Sequence, residues 1–105
     1  MAKRIAFRMN LNPGQADEYR QRHDEIWPEL SQALRDAGVS DYSIWLDRET
    51  NMLFATLVRS DDHTMAELPQ TEINQRWWAF MADIMAYNAN GTPVQIDLEQ
   101  MFQLD

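Results

Sequence analysis

The sequence predicts an α+β fold, because segments with strand periodicity and segments with helix periodicity follow one another along one short chain. Apolar and polar residues alternate in residues 4–10, 39–47 and 52–58, whereas residues 13–25 and 71–84 have helical spacing. The resulting order is strand, helix, strand, strand, helix, strand. This is the order of the ferredoxin-like split βαβ fold, in which helices cover one face of an antiparallel sheet. A length of 105 residues allows one such domain, at residues 1–105.

The first part of the chain predicts one strand and one interrupted helix. In residues 4–10 the apolar side chains at alternate positions form one face of a strand. Asn12 is the expected N-cap of the following helix, and Pro13 its first residue. Because Pro28 cannot donate a backbone hydrogen bond, we expect the helix to break just before it. A second helical segment should then continue until Gly38, which favours helix termination.

A β-hairpin is predicted next. Residues 39–47 and 52–58 are joined by the short polar link Arg48–Asn51, a length typical of hairpin loops. We expect both faces of this hairpin to be apolar, with Trp45, Leu53, Ala55 and Leu57 on one face and Ile44, Leu46, Phe54 and Val58 on the other. Since helices cover only one face of the sheet, a second subunit is expected to cover the other, which predicts a homodimer.

The last part of the chain predicts a short helix, a long helix and a final strand. Residues 61–68 are expected to form the short helix, which Pro69 ends. Thr71 is the expected N-cap of the long helix. The apolar stripe of the long helix consists of Ile73, Trp77, Phe80 or Met81, and Ile84. After a loop at residues 88–93, the final strand is expected to contain Ile96, Leu98 and Phe102.

Charge and composition exclude several classes of partner and site. The net charge is −8 and Lys3 is the only lysine, so neither nucleic acid nor an anionic membrane is an expected partner. The absence of cysteine excludes disulfides, thiol nucleophiles and thiolate metal sites. No His, Asp or Glu cluster has metal-ligand spacing, and three glycines do not form a phosphate-binding loop. We therefore expect no metal, no cofactor and a cytoplasmic protein without a membrane span.

Tyr19 and His23 are the first candidates for acid–base chemistry. They lie one helical turn apart, on the face that also carries Ala16 and Leu30 and that points to the interior. The ordinary pKa of histidine, about 6.5, allows proton transfer near neutral pH. A Tyr–His pair in this position also occurs as a hydrogen-bonded core pair, so the pattern alone leaves both interpretations open.

Other aromatic residues are candidates for contacts with a ligand. Trp77 and Trp78 lie about 100° apart around the long helix, with Trp77 on its apolar stripe and Trp78 beside it. Indole and phenol groups combine an apolar face with a hydrogen-bond donor, so they suit a sugar, although each also suits a core. Tyr42 lies on the side of its strand that is expected to face a cavity, whereas His63 is expected at the solvated surface.

Two sequence blocks together resemble the L-rhamnose mutarotase family. They are YRQRHDEIWPEL at residues 19–30 and QRWWAFMAD at residues 75–83, and the resemblance extends over nearly the whole chain. It implies a dimeric α/β barrel with the ferredoxin-like fold. It also implies that His23 is the proton-donating catalytic residue and that the sugar contacts come from Tyr19, Tyr42, Trp77 and Trp78. The chain departs from the family pattern at Ala89, where a proline is expected.

The activity that the resemblance implies is the interconversion of the α and β anomers of L-rhamnose. This isomerisation removes a proton from the anomeric hydroxyl and delivers one to the ring oxygen, without a metal, a nucleotide or a covalent intermediate. Two alternatives are another dimeric α/β-barrel protein, such as a monooxygenase whose helix histidine binds haem, and a non-catalytic dimerisation module. A Soret band would indicate the first alternative, and the absence of saturation transfer from L-rhamnose would indicate the second.

Overall fold

The computed structural model describes residues 2–104 and confirms the predicted α+β architecture. The order along the chain is β1 (Lys3–Asn10), α1 (Ala16–Asp24), α2 (Pro28–Asp36), β2 (Val39–Asp47), β3 (Met52–Arg59), a 3₁₀-helix (Met65–Gln70), α3 (Glu72–Met81) and β4 (Ile96–Leu98). The strands form one sheet in the order β2-β3-β1-β4, and each neighbouring pair is antiparallel. This is the ferredoxin-like arrangement. Among the helices of residues 2–104, none is both long enough and apolar enough to cross a membrane.

The inner face of the sheet packs under the helices and forms the hydrophobic core. The strand register places Phe7 opposite Ala55 and Met9 opposite Leu53, and these side chains are buried. Residues opposite each other in an antiparallel pair point to the same face, which explains why the four meet in one layer. The helices complete the core with the buried apolar residues Tyr19, Leu30, Trp77 and Met81.

The predicted distribution of the hairpin residues between the two faces is wrong. The structure pairs Leu46 with Leu53 and Trp45 with Phe54. Leu46 therefore lies on the inner face with Leu53, and Trp45 lies on the outer face with Phe54, the reverse of the predicted pairing. The sequence shows the alternation within each strand, but the register between strands depends on the turn geometry at residues 48–51.

The first helix begins at Ala16 rather than at Pro13, and Asn12 is not its N-cap. Asn12, Pro13 and Gly14 form a turn instead, in which the backbone N–H of Gln15 donates to the carbonyl of Asn12 at 3.3 Å. Gly14 has φ +80°. This left-handed conformation cannot continue into a right-handed helix, so the helix starts only after it.

The proline and glycine that were predicted to delimit α2 do so. Pro28 is the first residue of α2, and the chain before it leaves the helical conformation. Gly38 follows the helix with φ +91°, and a Cβ atom at this position would lie 2.3 Å from the Ser60 hydroxyl oxygen. The left-handed backbone conformation therefore favours glycine here, and a Cβ atom would also force the Ser60 hydroxyl to move.

The short helix before α3 differs from the prediction in position and type. It is the 3₁₀-helix Met65–Gln70 rather than a helix over residues 61–68, and Pro69 lies within it rather than after it. The helix ends one residue after Pro69, so the missing backbone donor interrupts little of it.

Thr71 is the N-cap of α3, as predicted. Its hydroxyl oxygen accepts a hydrogen bond from the backbone N–H of Asn74 at 3.4 Å. Met81 is 2% exposed whereas Phe80 is 41% exposed, so Met81 belongs to the buried stripe. Because α3 ends at Met81, Ile84 is buried just beyond the helix rather than on it.

The outer face of the sheet carries apolar side chains that no other element within residues 2–104 covers. Trp45 is 68% exposed on this face. Ile96 and Leu98 of β4 also lie on it, because Ile96 is opposite Arg8, an outer-face residue of β1. Phe102, which was predicted in the last strand, lies beyond the short β4 and is exposed.

Candidate active site

A cavity lies between the inner face of the sheet and the helices. Its volume is about 1300 Å³, which exceeds the roughly 300–1,000 Å³ of most ligand pockets. The charged residues that line the cavity are exposed, so they lie at its opening: Asp17, Arg20, Asp24, Arg35, Asp41 and Arg48. The predicted site residues all line this one cavity: Tyr19, His23, Tyr42, Trp77 and Trp78.

His23 lies in the last turn of α1, with Nδ1 at 3.0 Å from the backbone carbonyl oxygen of Tyr19. Because a carbonyl oxygen only accepts, Nδ1 carries the hydrogen, and Nε2 of the neutral ring keeps its lone pair. Burial lowers the pKa of His23 below its ordinary value of 6.5, against smaller opposing effects of the Tyr19 carbonyl and the Asp24 carboxylate. Nε2 has no hydrogen-bond partner within residues 2–104. It is therefore available as a base near neutral pH.

Tyr19 and His23 meet through their rings rather than through a hydrogen bond. The ring centroids are 4.4 Å apart and the ring planes are inclined by 29°. The Tyr19 hydroxyl makes no hydrogen bond to any residue of the described chain, so it is not a direct proton-relay partner of His23. Burial raises the pKa of Tyr19, and the neighbouring Tyr42 and Tyr87 raise it further. The phenol therefore stays protonated near neutral pH and is available as a donor.

Trp77 and Trp78 form the part of the cavity wall that α3 contributes. The buried Trp77 ring lies edge-on to His23, with the centroids 5.4 Å apart, and edge-on to Trp27 at 5.1 Å. Trp78 is half-buried and packs at the edge of the core. Trp77 thus belongs both to the core and to the cavity wall, whereas Trp78 contributes mainly to the wall.

Tyr42 lines the cavity from the inner face of β2, the face of Ile44 and Leu46, as the alternation in this strand predicted, and it lies beside an irregularity of the strand. The pairing with β3 shifts between Ser40 and Ser43, and Asp41 has φ +48°, which is uncommon for a residue other than glycine. The Tyr42 ring then lies edge-on to Phe7 on the inner face, with the centroids 6.4 Å apart. Burial of the hydroxyl raises the pKa of Tyr42 to about 12, although 39% of the residue as a whole is exposed.

Arg22 joins the end of α1 to the end of α3. Its guanidinium donates to the carbonyl of Phe80 at 2.7 Å and to the two carboxylate oxygens of Asp83 at 2.9 and 3.2 Å. The guanidinium carbon also lies 4.4 Å from the centroid of the Phe80 ring. The hydrogen bonds from Arg22 lower the pKa of Asp83. Because His23 follows Arg22 and Trp77 lies one turn before Phe80, these contacts hold two walls of the cavity together.

Tyr87 and Asn74 also line the cavity, although the sequence did not indicate them as site residues. Tyr87, in the loop after α3, is half-buried, and burial raises its pKa to about 12. Asn74 is buried on α3, one turn before Trp77 and Trp78. An amide within the apolar stripe of a helix was a signal that could have identified Asn74. The loop that contains Tyr87 has no periodicity, so the sequence did not indicate that the Tyr87 side chain lines the cavity. Ala89 of the same loop is exposed and does not line the cavity.

His63 lies outside the cavity, in the link between β3 and the 3₁₀-helix. It is half-buried rather than fully solvated, because its Nδ1 accepts a hydrogen bond from the backbone N–H of Met65 at 3.3 Å and its backbone packs near Gly38. In the part of the chain that the structure describes, no group of three or more His, Asp or Glu residues could hold a metal ion.

Comparison with known proteins assigns the chain to a family. The sequence model of the L-rhamnose mutarotase family matches residues 4–104. An L-rhamnose mutarotase of Burkholderia cenocepacia is 58% identical over 101 residues, which cover 96% of this chain and 97% of that protein. An L-rhamnose mutarotase of Rhizobium johnstonii is 60% identical over 99 residues, covering 94% and 93% respectively. The crystal structure of an L-rhamnose mutarotase from Formosa agariphila has a TM-score of 0.90 and 50% identity, and the match covers 98% of this chain and 99% of that one.

The chain belongs to the L-rhamnose mutarotase family.

In this member of the L-rhamnose mutarotase family the cavity presents uncharged polar groups without protein partners. Within residues 2–104, every fully shielded side-chain nitrogen or oxygen of a residue that is not itself exposed has a hydrogen-bond partner. Several cavity residues have polar side-chain groups without a partner in the described chain, and these groups are therefore not fully shielded: Tyr19, Asn74, Trp77, Trp78 and Tyr87. The side chain of Tyr42, an exposed residue that also lines the cavity, has no such partner either. Buried polar groups are nearly always hydrogen-bonded, so the partners of these groups are water or a ligand. Neutral donors and acceptors beside aromatic faces suit a neutral ligand with several hydroxyl groups.

Proposed function

We propose that the protein interconverts the α and β anomers of L-rhamnose, with His23 as the catalytic acid and base. The observation that carries this proposal is the state of the His23 ring. Its Nδ1–H is held by the Tyr19 carbonyl at 3.0 Å, and its Nε2 is unpaired within the described chain and faces a cavity of uncharged donors. Membership of the L-rhamnose mutarotase family supports the reaction and the substrate.

The proposed reaction needs one proton to move between two oxygens. Nε2 of His23 takes the proton of the anomeric hydroxyl. The O–H electron pair then forms the C1 carbonyl, the bond between C1 and the ring oxygen breaks, and the imidazolium returns the proton to the ring oxygen. Since both oxygens are bonded to C1, one nitrogen can serve both. Rotation about the C1–C2 bond and closure by the reverse steps give the other anomer.

The electrostatic environment of His23 favours both halves of this cycle. Burial lowers its pKa, so the ring is a free base before the reaction and, once protonated, a stronger acid than an exposed imidazolium. The Tyr19 carbonyl stabilises the short-lived imidazolium through the Nδ1–H hydrogen bond, which becomes charge-assisted. Positioned acid–base groups contribute about 10²–10⁴-fold to a rate. That is adequate for a reaction that already proceeds in water.

The other proposed site residues bind and orient the sugar. The hydroxyls of Tyr19 and Tyr42 stay protonated because burial raises their pKa values, so both can donate to sugar oxygens. The ring faces of Trp77 and Trp78 provide apolar surface for the C–H groups of the sugar. We propose these four residues as the substrate contacts.

Exchange NMR of the anomeric protons of L-rhamnose tests the proposal. We expect cross peaks between the α and β anomers in the presence of the protein, on a timescale at which buffer alone gives none. The variant His23→Asn, purified in the same way, controls for a contaminating mutarotase. Equal exchange rates with and without the wild-type protein would refute the proposed function.

We also propose that the protein acts as a homodimer in cytoplasmic rhamnose metabolism. The apolar outer face of the sheet supports a dimer, because Trp45 is 68% exposed there and pairs with Phe54 of the next strand. A chain without cysteine suits the reducing cytoplasm. Light scattering at micromolar concentration should give twice the mass of 12.4 kDa. A monomer mass throughout that range would contradict the dimer.

A further inference from the structure

Asn74 is buried in a position where nothing in the fold requires an amide. Within residues 2–104, Asn74 is the only buried polar residue, with 8% of its surface exposed. The other buried residues of α3 are Trp77 and Met81, so Asn74 interrupts an otherwise apolar face. Burying an amide without a hydrogen bond is unfavourable, whereas an apolar side chain of the same size at this position would carry no such cost.

The Asn74 amide has no partner within the described chain and is accessible from the cavity. Its backbone N–H donates to the Thr71 hydroxyl at 3.4 Å, but its side chain makes no hydrogen bond to any of residues 2–104. The residue lines the cavity, and neither of its side-chain polar atoms is fully shielded. The amide is therefore positioned to bond something within the cavity.

Asn74 shares the helix face that forms one wall of the proposed active site. Trp77 and Trp78 follow it by three and four residues, so the three side chains are neighbours on the surface of α3. Trp77 in turn lies edge-on to His23, with ring centroids 5.4 Å apart. An amide on this wall can reach a molecule that stacks against the two indoles.

We propose that the Asn74 side chain binds two adjacent hydroxyl groups of the sugar and thereby determines which hydroxyl configuration the site accepts. Its carbonyl oxygen accepts a hydrogen bond from one hydroxyl, and its NH₂ group donates to the oxygen of the next. A side-chain amide offers a neutral donor and a neutral acceptor side by side at every ordinary pH, which matches a vicinal diol. Asn74 contacts the substrate without exchanging a proton with it. This inference rests on the proposed function.

The test compares sugars and variants in a double-mutant cycle. The variants are Asn74→Leu, which keeps the number and branching of the side-chain heavy atoms but removes both polar groups, and Gln75→Leu, a similar loss of an amide at the neighbouring exposed position. Rates of anomer exchange are measured for L-rhamnose and for analogues that each lack one hydroxyl at C2, C3 or C4. Melting temperatures of all proteins establish that they are folded, and Asn74→Ala replaces Asn74→Leu if the latter does not fold.

We expect Asn74→Leu to raise KM for L-rhamnose by about 10-fold, with kcat nearly unchanged, because a neutral hydrogen-bonded pair is lost from binding. For the wild type, KM should be higher by a similar factor for the analogue that lacks a hydroxyl bonded by Asn74. Asn74→Leu should not discriminate against that analogue, because the contact is already absent. Gln75→Leu should behave as the wild type.

Each other outcome overturns the inference. If Asn74→Leu keeps the wild-type KM, or if it keeps the wild-type penalties for all analogues, Asn74 does not contact the sugar hydroxyls. If the wild type exchanges the anomers of L-rhamnose while either result holds, only this inference fails. If the wild type does not exchange them, the proposed function fails as well, and the wild-type measurement alone shows this.

Discussion

Replacement of His23 by asparagine separates its proton-transfer role from its structural contacts. The Asn side chain can place a donor near the position of Nδ1, so the hydrogen bond to the Tyr19 carbonyl, 3.0 Å in the wild type, is retained. No atom replaces Nε2. The ring contacts that are lost are the stack on Tyr19 at 4.4 Å and the edge contact with Trp77 at 5.4 Å.

The expected effects on stability and on rate follow from these contacts. Aromatic pairs contribute about 0.5–1.5 kcal/mol each beyond their buried area, so the loss of two should lower the free energy of unfolding by about 1–3 kcal/mol. Loss of the acid–base group should lower kcat by about 10²-fold or more. That factor corresponds to about 2.7 kcal/mol in the activation barrier.

The pH dependence gives a second, independent signature of His23. Because the neutral ring is the base, kcat/KM of the wild type should fall as the pH drops through the pKa of His23. Burial lowers that pKa, so the acid limb should lie below 6.5, the ordinary value. Below 6.5 the unfolded chain binds more protons at this site than the folded protein does, so acid should also reduce stability. Both effects should be smaller or absent in His23→Asn.

Exchange NMR with L-rhamnose and urea unfolding of the same samples measure rate and stability together. His63→Asn is the matched control, since it makes the same substitution at the histidine outside the cavity and should leave the exchange rate unchanged. Folded His23→Asn protein with a rate within a few-fold of the wild type would refute the assignment of His23. An acid limb that persists unchanged in that variant would refute the pH argument.

The remaining predictions concern the walls of the cavity and the end of α2. Trp77→Ala should lower the free energy of unfolding by about 3–5 kcal/mol, because the indole is buried. Trp78→Phe should leave the melting temperature nearly unchanged and weaken the affinity for L-rhamnose. If Trp78→Phe unfolds the protein while the folded fraction keeps its affinity, Trp78 is a core residue. Arg22→Gln should return the pKa of Asp83 towards its ordinary value in an NMR titration, and an unchanged pKa would mean that the ion pair does not form in solution. Gly38→Ala should cost at least about 1–2 kcal/mol in urea unfolding, because a left-handed conformation at φ +91° is unfavourable with a Cβ atom; wild-type stability would contradict the turn geometry.

Local features of the sequence determined most of the elements and much of the site. Pro28 starts α2 and Thr71 caps α3 because a missing N–H and a hydroxyl acceptor act on neighbouring backbone groups only. Helical spacing also placed Tyr19 and His23 on one inward face, since residues four positions apart in a helix lie on the same side of it. The roles proposed for these residues came from the resemblance of whole sequence blocks to a family, not from periodicity.

Tertiary structure decided the features that depend on how separate elements meet. The register of the hairpin put Trp45 on the outer face with Phe54, which alternation within one strand does not determine. Tyr87 joins the cavity from a loop without periodicity. The lowered pKa of His23 likewise depends on the burial that the surrounding elements create. Desolvation is set by residues distant in the chain, and the hairpin register is set by the geometry of the turn between its strands. Neither is contained in the periodicity of a single helix or strand.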